Sequence, residues 1–202
     1  MSASGASRRG TGRRKRRRSS FGGDSPGKTS WQHEGRHNNG MTLTPEEIDA
    51  VWEYSGPGYR RINAFLRGEE AGDDALRRTV ELIDSAIAKA KLATDLVLYR
   101  GIGEPGATMW RERGLRVGQR RTDVAFVSTS ADPTVANLFS DTPPDGLILR
   151  IQAVAGTCAL NMTSYSAYPN EAEYLLPRGT TVRVLGYDPG TRTVEAEVVW
   201  NG

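Results

Sequence analysis

The sequence predicts an α+β domain in which helices precede a mainly antiparallel arrangement of strands. Apolar residues repeat every three to four positions up to about residue 92, and short β-branched and aromatic runs follow. Because the two patterns are segregated along the chain instead of alternating, they argue against a parallel βαβ array.

Three helical segments are predicted in the first half of the domain. The first begins at Thr44-Pro45-Glu46-Glu47, whose threonine is the expected N-cap, whose proline suits the first helical position and whose second glutamate completes a capping box. Gly56-Pro57-Gly58 ends this helix. The other two segments repeat apolar residues at helical spacing, from Tyr59 to Leu66 and from about Asp73 to Leu92.

The second half of the domain has the pattern of short strands separated by Gly, Pro and Asp. One short helix is predicted among them, begun by Asp132-Pro133 and continuing through Phe139. The predicted strands are Leu96–Tyr99, Val124–Thr129, Leu147–Val154, Glu173–Leu176, Thr180–Leu185 and Thr193–Trp200.

The first 40 residues differ from the rest of the chain in composition. After the initiator methionine they contain two large apolar residues, Phe21 and Trp31, among Ser, Gly, Arg and Asn. Such a segment cannot bury enough apolar surface to offset its ordering entropy. We therefore expect residues 1–40 to form a disordered tail and residues 41–202 to form one folded domain.

The distribution of charge and the counts of cysteine and histidine exclude several kinds of functional site. Residues 1–40 hold ten Lys/Arg and two Asp/Glu, whereas residues 41–202 hold 17 Lys/Arg and 22 Asp/Glu, so the basic character belongs to the tail. The single cysteine is Cys158, and both histidines lie in the tail. These counts exclude an intrachain disulfide, and they exclude a structural zinc site or a Ser-His-Asp triad in the domain. We expect no metal.

The sequence carries no pattern expected of a membrane or secreted protein. No apolar run approaches the ~20 residues that a membrane-spanning helix needs. The basic run Arg13–Arg18 is followed by Ser, Gly and Asp instead of the apolar stretch of a signal peptide. We therefore expect a cytoplasmic, monomeric protein, whose presence in another cell would require a dedicated delivery route.

Three short motifs lie on or beside predicted strands. They are Tyr99-Arg100-Gly101, Ser128-Thr129-Ser130 and Glu171-Ala172-Glu173. Taken singly, each has an ordinary structural explanation: a solvated arginine, a hydroxyl turn or helix cap, and a solvent-facing strand edge. The second Glu-x-Glu pair, Glu195 and Glu197, is expected to be of this ordinary kind.

In this order, the motifs resemble the Arg–Ser-Thr-Ser–Glu-x-Glu signature of a clade of ADP-ribosyltransferases that includes clostridial-type binary toxins and phage and bacterial effectors. The surrounding words Leu-Tyr-Arg-Gly, Ala-Phe-Val-Ser-Thr-Ser and Glu-Ala-Glu-Tyr-Leu-Leu-Pro-Arg-Gly-Thr fit the same family. Upstream, Tyr54, Tyr59 and Asn63 match the family's helical Tyr–Tyr–Asn spacing. The resemblance implies two packed, mainly antiparallel sheets, N-terminal helices and a cleft for NAD, which is consumed as a substrate.

The resemblance assigns six residues to NAD binding, of which Ser128 and Glu173 also serve the chemistry. Arg100 would grip the pyrophosphate, because a planar guanidinium can donate two directed hydrogen bonds to phosphate oxygens. Gly101 would allow backbone to approach the nicotinamide amide. Phe139 occupies the position where relatives place a ring against nicotinamide, although most aromatic residues belong to a core. Asn63 belongs to the helical part of the cleft.

The glutamates would carry the chemistry. Cleavage of the bond to nicotinamide passes through an oxocarbenium-like state, which Glu173 would stabilise while it holds the ribose 2′-hydroxyl. Ser128 would fix the rotamer of Glu173. Because residues i and i+2 of a strand face the same side, about 6–7 Å apart along the chain, Glu171 would lie beside Glu173 and face the incoming substrate.

In relatives, the residue at the position of Glu171 selects the acceptor, and glutamate there implies an arginine side chain. We therefore expect a mono-ADP-ribosyltransferase that modifies an exposed arginine of an acceptor protein, with Tyr168 in the loop that contacts it. One departure is that Ser140-Asp141-Thr142-Pro143 lacks a second arginine found in many relatives, so phosphate binding would depend on Arg100 and a further residue.

This function has two alternatives, of which the first uses the same residues and the second belongs to another class. An NAD glycohydrolase would pass ADP-ribose to water, and a catalytically silent protein would act only by binding nucleic acid through its tail. The arginine-rich run in residues 8–18 suits a phosphate backbone or an acidic protein, although it could also be a solvated tail without a partner or a nuclear-localisation signal.

Overall fold

A computed structural model describes residues 41–140 and 146–199. The basic tail, residue Trp200 and most of the Ser140–Pro143 segment lie outside the described residues. The described helices are α1 (Pro45–Glu53), α2 (Tyr59–Leu66), α3 (Asp74–Lys89), α4 (Gly106–Glu112) and α5 (Pro133–Phe139), with a π-helical turn at Tyr54–Gly58 and a 3-10 turn at Pro169–Glu171.

The described strands form one sheet with the order β2-β7-β8-β4-β1-β3-β6-β5. Neighbouring strands are antiparallel except β4 and β8, which run parallel. The strands are β1 (Leu96–Ile102), β2 (Arg120–Thr122), β3 (Val127–Ser130), β4 (Leu147–Ala153), β5 (Leu160–Asn161), β6 (Glu173–Leu176), β7 (Thr181–Asp188) and β8 (Thr193–Val199).

The α+β class and the mainly antiparallel pairing are confirmed, but the expected division into two sheets is not seen. The pairing of β1 with β4 on one side and β3 on the other joins the two halves into one hydrogen-bonded sheet. The halves instead have separate cores, one formed with α1 to α3 and the other beside α4.

Several strand boundaries differ from the sequence-based expectation, the end of β7 at Asp188 among them, and two of these differences have a clear physical cause. β1 continues to Ile102 because its whole length pairs with β4, so Arg100 and Gly101 lie within a strand and not at its end. β3 begins at Val127 because the side chain of Asp123 accepts a hydrogen bond from the backbone of Ala125 and forms a turn there. Among the described residues, no helix is long and apolar enough to span a membrane.

The predicted capping box at the start of α1 is present and reaches beyond its own helix. Thr44 N donates to Glu47 Oε2 at 2.8 Å, and Glu47 N donates to Thr44 Oγ1 at 3.2 Å. The carboxylate also accepts hydrogen bonds from Ser85 Oγ at 2.7 Å and Lys89 Nζ at 2.6 Å on α3. Glu47 is therefore a buried link between α1 and α3.

Replacing Glu47 by Ala is expected to lower the free energy of unfolding by about 2–3 kcal/mol, because a cap and charge-assisted hydrogen bonds are lost together. Burial raises the pKa of Glu47, but hydrogen bonds from Lys89, Ser85 and Thr44 outweigh it and leave the pKa lowered. Its contribution is thus present at neutral pH and is lost as the pH falls through the folded-state pKa.

Urea denaturation of Glu47→Ala and wild type at neutral and acidic pH measures this effect. Glu46→Ala is the matched control, because the neighbouring carboxylate is exposed and, in the described structure, interacts with α3 only through the charge of Arg78. Equal destabilisation by the two substitutions would contradict the role assigned to the Glu47 link.

Candidate active site

One cleft of about 600 Å³ collects every site residue expected from the sequence. Its volume lies in the range of about 300–1,000 Å³ that is usual for small-molecule and cofactor sites. The cleft is lined from the π-helical turn, α2, β1, β3, α5 and the segment that precedes β6. The expected residues that line it are Asn63, Arg100, Gly101, Ser128, Phe139, Tyr168, Glu171 and Glu173.

Glu173 and Ser128 form a hydrogen-bonded pair across two strands. The antiparallel register places Ser130 opposite Glu173, and the two-residue repeat of β3 puts Ser128 on the same face. Ser128 Oγ donates to Glu173 Oε1, and Glu173 is 8% exposed. Burial raises the pKa of Glu173, the bond from Ser128 lowers it, and the charge of Glu171 raises it further, with a net increase.

The next two hydroxyls of the motif hold the glutamate-bearing segment against β3. Thr129 Oγ1 donates to Tyr174 O at 2.6 Å, and Ser130 Oγ donates to Glu171 O at 2.6 Å. Ser130 Oγ also accepts a hydrogen bond from Asp132 N at 2.9 Å. The Ser-Thr-Ser motif is therefore more than a cap of the following helix, because each of its side chains binds the segment that carries the two glutamates.

The expectation that Glu171 and Glu173 share one strand is wrong. Glu171 ends the 3-10 turn, and Ala172 between them is left-handed, with φ 45° and ψ 42°. Because this residue interrupts the two-residue repeat, strand spacing does not place the two carboxylates. The fold nevertheless lines one cleft with both, and burial raises the pKa of Glu171.

Arg100 has a partner that the sequence did not reveal. Its Nη2 lies 3.3 Å from Asp123 Oδ2, while Nη1 is buried without a hydrogen-bond partner among the described residues. Asp123 is held in turn by Ala125 N, which donates to Oδ1 at 3.0 Å. An isolated aspartate in a loop gives no sequence signal, since only the fold brings it to the neighbouring strand.

Gly101 lies against helix α5. A Cβ at this position would collide with the backbone of Ala136, Phe139 and Ser140. The glycine is therefore required by helix–strand packing, in addition to any approach of a ligand. Phe139, the last residue of α5, is 54% exposed and lines the cleft, so it is not an ordinary core aromatic.

Another part of the cleft is lined by the residues of the helical Tyr–Tyr–Asn spacing, Tyr54, Tyr59 and Asn63. Asn63 Nδ2 donates to Tyr54 Oη at 3.0 Å, and Asn63 Oδ1 is buried without a partner among the described residues. Tyr54 packs edge-on against Phe126 with ring centroids 5.6 Å apart, and burial raises its pKa. Asn63 therefore lines the cleft with a buried acceptor that has no partner among the described residues.

Tyr168 lies in the loop before the 3-10 turn and is 54% exposed. Its neighbour Ala167 N donates to Ser55 Oγ at 2.9 Å, which links this loop to the π-helical turn.

Among the described residues, no group of three or more His, Cys, Asp or Glu side chains could hold a metal ion.

Comparison with known proteins finds a family model and curated relatives that match this chain. The model of the ADP-ribosyltransferase exoenzyme family matches residues 28–199, and thus begins inside the N-terminal segment. The chain belongs to the ADP-ribosyltransferase exoenzyme family. It spans between 18% and 30% of the length of the first three curated relatives that it matches.

Two relatives illustrate the membership. The chain is 31% identical over 144 residues to NAD(+)–protein-arginine ADP-ribosyltransferase Tre1 of Pseudomonas putida, covering 71% of this chain and 26% of the relative. It is 28% identical over 166 residues to secreted exoenzyme S of Pseudomonas aeruginosa, covering 82% of this chain and 33% of the relative.

The structural likenesses show the ADP-ribosyltransferase fold. The toxin Plx2a from Paenibacillus larvae superposes with a TM-score of 0.65 at 24% identity, covering 78% of this chain and 88% of the toxin. C3stau2 from S. aureus, solved with NAD, superposes with a TM-score of 0.65 at 20% identity and the same two coverages.

Proposed function

We propose that this chain is a mono-ADP-ribosyltransferase that cleaves NAD and passes ADP-ribose to an arginine of an acceptor protein. The observation that carries the proposal is the buried Glu173 carboxylate, held by Ser128 in the cleft that also contains Arg100. Family membership, a relative named as a protein-arginine ADP-ribosyltransferase and a fold neighbour solved with NAD support it.

Arg100 would hold the pyrophosphate of NAD. Its buried Nη1 has no partner among the described residues, so it can donate to a phosphate oxygen without breaking an existing bond. Arg100 Nη2 is oriented by Asp123, which limits the rotation of the guanidinium plane. Phe139 and Gly101 would then border the nicotinamide, and Asn63 would offer its free carbonyl oxygen to a ligand hydroxyl or amine.

Glu173 would stabilise the positive charge that develops on the ribose as nicotinamide leaves. A negative group fixed beside a developing cation lowers the barrier most when it is shielded from water, and Glu173 is 8% exposed. The hydrogen bond from Ser128 fixes the carboxylate before the substrate arrives. These proposed roles support membership of the clade defined by the Arg–Ser-Thr-Ser–Glu-x-Glu signature, which we propose for this chain.

Glu171 would receive the acceptor guanidinium and remove its proton during the attack. Burial raises its pKa, which makes its carboxylate a stronger base than an exposed glutamate. The exposed Tyr168 lines the same cleft and presents a ring that a cation can approach. This pairing of a base with an exposed aromatic suits an arginine on the surface of another protein.

The Glu171→Gln variant tests the choice of acceptor. Transfer to agmatine, a small guanidine, or to lysate proteins is expected to fall by about a hundredfold or more, the usual size of a general-base effect. Release of nicotinamide is expected to continue, because Glu173 and Ser128 are untouched. Radiolabelled NAD measures both reactions in one assay.

Glu195→Gln is the matched control for Glu171→Gln. It belongs to the second Glu-x-Glu pair, on β8, where Glu195 pairs with Arg150 at 2.7 Å and Glu197 pairs with Arg183. If wild type released ADP-ribose only to water, the glycohydrolase interpretation would replace the transferase. If no NAD were cleaved, the protein would instead be a silent relative.

The remaining assignments concern the whole protein. We propose that residues 41–202 are the catalytic domain and that the arginine-rich part of residues 8–18 binds nucleic acid or an acidic partner. Since a secreted exoenzyme is among the relatives, we also propose that the protein acts after delivery into another cell. A tail deletion that abolishes polyanion binding but leaves NAD cleavage intact would separate the two activities.

A further inference from the structure

An arginine of the chain itself lines the proposed acceptor cleft. Arg60, in the first turn of α2, contributes to the cleft together with Glu171, Glu173 and Tyr168. On the helix it lies three residues before Asn63, and residues at this spacing share a face. Arg60 is exposed, so its guanidinium is not packed into the core.

The environment of Arg60 leaves its guanidinium without an ion pair. It lies over the ring of Tyr59, 5.7 Å from the centroid, and its Nε donates to Tyr59 Oη at 3.2 Å. Among the described residues, no carboxylate lies within ion-pair distance of Arg60. Its neighbour Arg61 differs, because it pairs with Glu70 at 3.3 Å and with Asp73 at 3.2 Å.

We propose that Arg60 is an acceptor for the enzyme's own ADP-ribosylation, within the same molecule. This inference rests on the proposed function and adds a modification site to it. The bond between C1′ of the ribose and the nicotinamide nitrogen breaks, and its electron pair leaves with nicotinamide. A bond forms between C1′ and a guanidinium nitrogen of Arg60, whose proton passes to the Glu171 carboxylate.

Three features suit Arg60 to this reaction. Its guanidinium belongs to the chemical class of the proposed acceptor, it lines the same cleft as the proposed base, and no carboxylate has to be displaced before it moves. The bond to Tyr59 Oη is a single exposed hydrogen bond to an uncharged acceptor, which is weak compared with a bidentate ion pair.

Modification at this position would limit the enzyme's own activity. ADP-ribose attached to Arg60 adds a bulky, doubly charged group at the cleft. The attached group would compete with the next NAD for Arg100 and with the acceptor for Glu171. We therefore expect transfer to agmatine to slow with time in wild type, and to slow less in Arg60→Lys.

The test is to incubate the purified full chain with NAD alone and to locate ADP-ribose by peptide mass spectrometry. Wild type is expected to carry the label on Arg60, with a first-order rate that does not depend on protein concentration. Arg60→Lys is expected to lose that label. Arg61→Lys is the matched control and is expected to keep it, because Arg61 belongs to the ion pairs outside the cleft.

A parallel reaction with agmatine separates this inference from the function on which it rests. Modified agmatine with an unlabelled Arg60 would overturn the inference and leave the transferase intact. A labelling rate proportional to protein concentration would overturn the intramolecular reaction. If neither agmatine nor Arg60 were modified, the proposed function would fail and the inference would fail with it.

Discussion

Replacing Glu173 by Gln is expected to lower NAD cleavage on the order of 100- to 1,000-fold, the usual effect of removing one preorganised electrostatic group. The substitution keeps the shape of the side chain and a partner for Ser128, but it removes the negative charge that the proposed mechanism places beside the ribose. Both nicotinamide release and transfer to agmatine should fall together, because the bond cleavage is common to them. A steady-state assay of nicotinamide release measures the loss.

Glu173→Gln is expected to lose activity but to gain stability. Because burial raises the pKa of Glu173, the folded protein binds a proton more tightly than the unfolded chain, and ionisation at neutral pH destabilises the fold. Glu173→Gln is therefore expected to melt higher than wild type at neutral pH.

The gain should shrink as the pH falls through the folded-state pKa and vanish below the ordinary glutamate value of about 4.3. Thermal melts across this range provide the measurement. A variant that is inactive and also less stable at neutral pH would indicate a misfolded site instead of a missing charge.

The second large effect is expected for Arg100→Lys. The Kd for NAD should rise about 10- to 100-fold, because a lysine cannot reproduce the forked contact of a guanidinium with phosphate and Asp123 at once. The rate of cleavage in saturated enzyme should fall less than the affinity, since Glu173 and Ser128 are unchanged. Isothermal titration with NAD and steady-state kinetics separate the two quantities.

Arg183→Lys is the control for this substitution. Arg183 lies on β7 and its Nε donates to Glu197 Oε1 at 2.5 Å, away from the cleft lining. The same chemical change there should leave NAD affinity unaltered. Equal losses in the two variants would mean that Arg100 acts through general stability and not through the pyrophosphate.

The starts of α1, α3 and α5 could be predicted from the sequence, because a helix cap depends on residues that are close together in the chain. Thr44-Pro45 begins α1, the Asp73 side chain accepts from Leu76 N at 2.8 Å to begin α3, and Asp132-Pro133 begins α5. Each cap satisfies backbone donors within three residues, so neighbouring residue types suffice to predict it. The third helix nevertheless ends at Lys89, three residues before the expected Leu92.

Elements without a local signal were missed. Helix α4 lacks a side-chain cap, and β2 is a three-residue polar strand whose conformation depends on pairing with β7. The short strand β5 likewise exists through its pairing with β6. In these cases the free energy comes from contacts between distant parts of the chain, which residue periodicity does not record.

The sequence by itself determined the class of the fold, the starts of α1, α3 and α5 and a set of residues that line one cleft, since motif and cap chemistry reside in the residue types. Tertiary structure alone decided how those residues meet. It joined the strands into one sheet and gave Arg100 its partner Asp123. It replaced the expected strand spacing between Glu171 and Glu173 by a turn through the left-handed Ala172. It also brought Arg60 into the cleft. These outcomes depend on packing and pairing between segments far apart in the chain, whose energies no single segment contains.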